Sequence, residues 1–139
     1  MSKVFVAYAR DDVQLVKRFL DTLRRKTDID FWFAEDELLP GEDIRPQLKR
    51  AILNTDSFMF CVSPNVVPKS RASYISEERN LALKRMLEEP SFQIHLVHIA
   101  EGGVVPSEFA SIEDVDLSSP KKRLANMSDF LNRLEEQGE

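Results

Sequence analysis

Cysteine occurs once in the 139 residues, at Cys61, so no disulfide can close within the chain. Glycine occurs four times, and neither the GxGxxG fingerprint nor the P-loop pattern of nucleotide-binding folds is present. There are two histidines, His95 and His98, and no Cys/His cluster with the spacing of a zinc site. Three positions apart on one apolar run, they point to opposite faces of a strand and cannot share a metal ion. No apolar stretch approaches the roughly 20 residues needed to cross a bilayer. The chain opens at once on Lys3-Val4-Phe5-Val6, without the longer apolar core of a signal peptide. Positive charge is also short. Nineteen Lys and Arg stand against 24 Asp and Glu, a net charge of -5 that argues against nucleic-acid binding, which needs a basic surface. These absences predict a cytoplasmic protein with no resident metal or cofactor and no membrane or nucleic-acid partner.

What is present suits one compact α/β domain over residues 1–139, with 42% hydrophobic residues to build a core. The polar stretch from about Arg133 to Glu139 reads as a terminus or as a linker to a further domain. Short β-branched or aromatic runs alternate with longer amphipathic ones, the pattern of parallel strands joined by crossover helices. Strands are expected at Lys3–Tyr8, Asp30–Phe33, Ser57–Val62, Ile94–Ile99 and, more weakly, Ile112–Leu117. Asp11 or Asp12 is placed to cap a first helix whose Val13, Val16, Phe19, Leu20 and Leu23 recur at helical spacing. Ala34–Gly41 reads as an exposed loop ending in Pro40-Gly41, and Asp43–Asn54 as a second helix. Residues 63–73 read as a long surface loop. A helix over Tyr74–Glu89 follows, with Ile75, Leu81, Ala82, Leu83, Met86 and Leu87 on its apolar face, and Pro120–Glu136 forms the last helix.

Five parallel strands with intervening helices make a doubly wound sheet, which binds ligands beyond the carboxyl ends of its strands near the switch in strand order. The loops there are Tyr8-Ala9-Arg10-Asp11, residues 33–41 and residues 63–76. On the helix that follows the third, Glu78 falls at the edge of the apolar face and Glu77 nearly opposite, so Glu78 turns toward the sheet. The helix dipole favours its ionised form. Its bland reading is a helix-end acid. Cys61 sits in an apolar strand, where burial raises a thiol pKa and blocks access. The loop acids Glu35, Asp36, Glu37, Glu42 and Asp43 lack the EF-hand spacing and read as solvated, and Lys121-Lys122-Arg123 as a solvated face or contact patch.

Four segments in order resemble the Toll/interleukin-1 receptor (TIR) family, in particular its prokaryotic-type, NAD-cleaving members. Residues 4–12, Val-Phe-Val-Ala-Tyr-Ala-Arg-Asp-Asp, are similar to the family's opening strand and first loop. Residues 31–42 resemble its second strand and BB loop, including Pro-Gly. Ile52 with residues 57–63 resembles the strand that ends in a serine, and residues 74–82 the helix with the family's glutamate. Tyr74 stands where Trp is common, Ala72 where Ser is frequent, and Ala7 where the first strand often ends in Ser. The resemblance implies a flavodoxin-like TIR fold with Glu78 as the catalytic glutamate and Tyr8, Arg10, Asp11, Trp32, Leu39 and Tyr74 around the substrate. It also implies NAD as substrate rather than cofactor, with nicotinamide and ADP-ribose or a cyclic isomer as products. Activation by self-association through the BB loop, about Ala34–Glu42, would then serve antiviral defence or cell-death signalling. The alternative is a non-enzymatic adaptor that binds other TIR domains. A phosphorelay receiver shares the architecture but needs a phosphoacceptor Asp ending the third strand, where Cys61-Val62-Ser63 offers none.

Overall fold

The computed structural model describes residues 3–66 and 75–136, and the side chains of all of these except 75–77. Five strands form one all-parallel sheet: β1 (Lys3–Ala7), β2 (Asp30–Trp32), β3 (Ser57–Val62), β4 (Gln93–His98) and β5 (Asp114–Asp116), in the order β2-β1-β3-β4-β5. The helices are α1 (Val13–Arg24), α2 (Ala34–Glu37), α3 (Ile44–Asn54), α4 (Ile75–Glu88) and α5 (Pro120–Glu136). The doubly wound α/β architecture expected from the alternating pattern is therefore present. Central β3 is buried at all six positions, since it is paired on both edges and covered on both faces.

Alternation along the strands splits the core in two. Val4, Val6, Met59, Cys61 and Val97 meet Val16, Leu20 and Leu23 of α1 and Met127, Phe130 and Leu134 of α5. Phe5, Ala7, Phe58, Phe60 and Leu96 face Leu48 and Ile52 of α3 and Ala82 of α4. The connection from β4 to β5 has no α-helix. A 3-10 turn at Ser107–Phe109 drives Phe109 to 0% exposure, edge-on to Phe60 at 5.4 Å between ring centroids.

Several local expectations are corrected. The stretch Ala34–Gly41 is not all loop. Its three acids sit in the first turn of α2, where they favour a helix N-terminus, and the backbone of Asp36, Glu37 and Leu38 bonds back to Phe33 and Ala34. Asp12 occupies the N-cap position of α1 but makes no capping bond with its side chain, and a 3-10 turn at Arg10–Asp12 leads into the helix instead. Leu87, expected on the apolar face of α4, is 80% exposed. The basic start of α5 is partly structural, because Lys122 pairs with Asp116 at 2.9 Å and Arg123 donates to the carbonyl of Leu117 at 3.2 Å. Asp43 caps α3 by accepting from the Arg45 N–H at 3.1 Å. Arg85 of α4 donates to the carbonyls of Ile52 and Thr55, satisfying the end of α3 while its guanidinium lies 4.2 Å from the Phe92 ring centroid.

The two histidines do face opposite ways. His98 meets Asp114 at 2.5 Å, whereas His95 lies 8% exposed, edge-on to Phe130 of α5. Burial, and secondarily the Arg133 guanidinium, lowers the His95 pKa to about 4 from its ordinary 6.5. The unfolded chain therefore takes up a proton between pH 6.5 and 4 that the folded one refuses, so stability is full above this window and falls as pH drops through it. The expected loss is on the order of 3 kcal/mol at most. Urea titrations at pH 7 and pH 4.5 should show this slope, and His95→Leu should flatten it. An unchanged slope in the variant would assign the acid sensitivity to other groups.

Candidate functional site

The loops leaving β1, β2 and β3 emerge on the carboxyl side of the sheet, and the reversal of strand order falls between β1 and β3. Tyr8 follows β1 directly, half-buried, with its ring 5.2 Å from that of Phe33 at the exit of β2. Its phenol is pushed well above the ordinary range, first by burial and then by the negative charges of Glu35 and Glu78 and, more weakly, Asp36. Tyr8, the acidic loop and Glu78 thus share one electrostatic neighbourhood.

Glu78 lies in the first turn of α4, where exposed backbone N–H groups favour a carboxylate, and it is 9% exposed. A charged residue seldom sinks so far without a partner, and Glu78 has interactions within the fold. Ala82, one turn on, is fully buried against the sheet, which fixes the rotation of the helix and turns Glu78 inward. The neighbouring Arg79 pairs with Glu108 at 2.8 Å, tying the start of α4 to the 3-10 turn at Ser107–Phe109. The side chain of Glu77 and the whole of Tyr74 lie outside the described residues.

The other expected site residues divide. Arg10 and Asp11 are exposed in the loop after β1, and among the described residues Arg10 makes no ion pair. Arg24 of α1 is the cation that approaches Asp36, at 3.7 Å. Trp32 is 8% exposed, stacked 5.0 Å from Phe5, and points to the α3 side, whereas Tyr8 packs on the α1 side. Its indole therefore lines a groove of about 310 Å³ with Leu39, Gln47 and Arg50 rather than facing Tyr8. Leu39 is 57% exposed, although its backbone is held on both sides. Its N–H donates to Gln47 Oε1 at 2.8 Å, and Gln47 Nε2 donates to the carbonyls of Leu39 at 3.4 Å and Asp43 at 3.3 Å. Cys61 is fully buried, and its thiol pKa is pushed far up by burial, out of the range of a nucleophile. No cluster of three potential metal ligands occurs among the described residues.

One group escaped the sequence reading. Asp12, 5% exposed, accepts from the Ser63 hydroxyl and, at 2.8 Å, from Asn65 Nδ2. The Ser63 hydroxyl also accepts from the Asn65 N–H at 3.1 Å. The pattern Ser-Pro-Asn directly after a buried strand was the available signal, but nothing in it names a partner 51 residues away.

The family model of the TIR domain matches residues 4–131, and the chain belongs to that family. Solved structures agree in fold. The TIR domain of the Toll-related receptor TRR-2 from Hydra magnipapillata is 17% identical with a TM-score of 0.68, covering 95% of this chain and 97% of that one. A prokaryotic SEFIR domain is 14% identical at a TM-score of 0.68, covering 96% and 98%. The CMP N-glycosidase BcmB of Clostridium botulinum is 15% identical at a TM-score of 0.59, covering 91% and 99%. A comparison with curated proteins returns no match.

Because the folded protein opposes the Tyr8 phenolate, Tyr8 should stay protonated where a free tyrosine ionises. Absorbance at 295 nm of the Tyr74→Phe variant, which keeps Tyr8 as its one tyrosine, should show no phenolate step near pH 10 until unfolding. The unfolded chain loses that proton first, so stability is full below about pH 10 and declines above it. A reversible step at pH 10 in the folded variant would place Tyr8 in open solvent.

Proposed function

We propose that the chain cleaves the bond between nicotinamide and ribose in NAD, with Glu78 as its catalytic carboxylate. The observation that supports this best is a carboxylate only 9% exposed in the first turn of α4, near enough to Tyr8 that its charge adds to burial and to Glu35 in raising the Tyr8 pKa. The chemistry suits one carboxylate. The glycosidic C–N bond breaks with both its electrons going to the pyridinium nitrogen, so nicotinamide leaves neutral and needs no general acid. The ribosyl fragment turns oxocarbenium-like, and a negative group beside it stabilises that charge while accepting from a ribose hydroxyl. Addition of water at the ribose carbon then yields ADP-ribose, with the water proton released. Addition of an adenine nitrogen instead yields a cyclic isomer.

In this reading Tyr8 walls the inner end of the cleft, Arg10 and Asp11 stand at its rim, and Tyr74 and Leu39 contact substrate. Trp32 acts indirectly, by packing the base of the loop that carries Leu39. The fold-sharing protein named as a CMP N-glycosidase adds support of a general kind, since the same architecture there accompanies scission of a nucleotide N-glycosidic bond. Self-association switches the site on when a neighbouring copy's BB loop, about Ala34–Glu42, completes it, in antiviral defence or cell-death signalling. A second reading, a non-enzymatic adaptor, draws on the same loop, whose exposed Leu39 is suited to a protein contact.

Concentrated or artificially clustered protein should release nicotinamide from NAD, and Glu78→Gln, which keeps shape but not charge, should lower kcat by about a hundredfold or more. Equal release by the variant would remove Glu78 from the mechanism. Absence of release by the wild type in every assembled state, with binding to other TIR domains intact, would favour the adaptor.

A further inference from the structure

We propose that Asp12 is a positioning residue for the cleft, tying the loop after β1 to the exit of β3 through Ser63 and Asn65. At the N-cap position of a 12-residue helix, an aspartate ordinarily faces outward and accepts from the helix backbone. Asp12 does neither: it is 5% exposed and its side chain makes no capping bond. Its two oxygens are divided instead. Oδ2 accepts a hydrogen bond from the Ser63 hydroxyl and Oδ1 accepts one from Asn65 Nδ2 at 2.8 Å. A carboxylate this far from water is costly, and among the described residues no cation pairs with it, so these charge-assisted bonds are what sustain it.

The position matters more than the energy. Strands β1 and β3 are neighbours at the switch in strand order, so the tether spans the floor of the cleft. On one side it holds the turn Arg10–Asp12, closed by the Asp12 N–H donating to the Ala9 carbonyl at 2.8 Å, directly after Tyr8. On the other it holds Ser63, the last residue before the connection toward α4 and Glu78. Ser63 cannot retreat from the pull. The β4–β5 connection lies against its backbone, where a Cβ on Gly103 would fall 2.9 Å from the Ser63 Cα. The same connection grips α4 through Glu108 and Arg79. The Asp12 tether in front and this brace behind fix the distance across the cleft.

The inference rests on the NAD-cleavage reading, and two readouts separate their fates. In assembled protein, Asp12→Ala and Ser63→Ala should each lower kcat for nicotinamide release about tenfold or more while KM for NAD moves by less than about threefold. Ser63→Thr, which keeps the hydroxyl, should restore most of kcat; a role in stability alone would change the active fraction and melting temperature in step. Wild-type kcat in folded Asp12→Ala would overturn the proposal and leave the reading intact. If the wild type releases no nicotinamide, the reading fails, and amide hydrogen exchange then decides the tether on its own. In Asp12→Ala the amides of residue 12, Asn65 and Val66 should exchange about tenfold faster or more, with those of β4 and α5 unchanged. Unaltered protection at Asn65 and Val66 would overturn it.

Discussion

Burial of β3 on both faces is the constraint from which the rest follows. Residues Ser57–Val62 are all buried, so the strand presents apolar side chains up and down and must be covered by helices on both sides. Right-handed crossovers can provide that cover only by moving one way from β1 to β2 and the other way from β3 to β4. The reversal parts the loops at the carboxyl ends of β1 and β3, the position where doubly wound sheets bind their ligands, without any residue being selected to part them. The cover is least regular over the β4–β5 crossover. There Phe109, clamped against Phe60, takes the place of a packed helix, and the rest of the connection is left free to press Gly103 onto Ser63 and Glu108 onto Arg79.

Features that repeat along the chain were legible in the sequence. The alternation of strand and helix patterns, the helix starts near Asp43 and at Pro120 and the apolar run Ser57–Val62 each occupy a contiguous window, so periodicity specified the doubly wound sheet and the bounds of α5. The inward turn of Glu78 was legible for the same reason, because one helical face defined it. Features that depend on side chains meeting across the fold were not. Asp12 carried a strong local signal for a cap, and a distant hydroxyl outbid the helix for its carboxylate. Trp32 lies on β2 and Tyr8 directly follows neighbouring β1, and the family resemblance set both around the substrate, yet alternation sends them to opposite layers. Leu87 fits the helical period, but α4 meets the sheet over too narrow a stripe to cover it.

The same separation divides the site. Its framework is specified locally: a strand exit, a 3-10 turn and the first turn of a helix. Its spacing is specified by contacts of long sequence separation, Asp12 to Ser63 and Asn65, Gly103 to Ser63, and Arg79 to Glu108. The polar ones add little to net stability one at a time, because each replaces hydrogen bonds to water. Their effect is to remove alternative placements of the loops, which is what a reaction sensitive to distances below an ångström requires.

The electrostatics of the cleft bear on how a dinucleotide would sit in it. The potential that opposes a negative charge on the Tyr8 oxygen arises from burial and from Glu35, Glu78 and Asp36, and the carboxylate part of it favours a positive charge at the same place. On the proposed reading, a pyridinium ribose becoming oxocarbenium-like would be stabilised at the inner end, beside Glu78 and Tyr8. A diphosphate is repelled from there by the same carboxylates. On that reading it would be best accommodated at the rim, in water, where Arg10 is exposed. On the proposed reading the sign of the field thus orients the substrate, cationic end inward and anionic middle outward. Removing the loop acids would weaken that orientation while leaving the Glu78 carboxylate in its place.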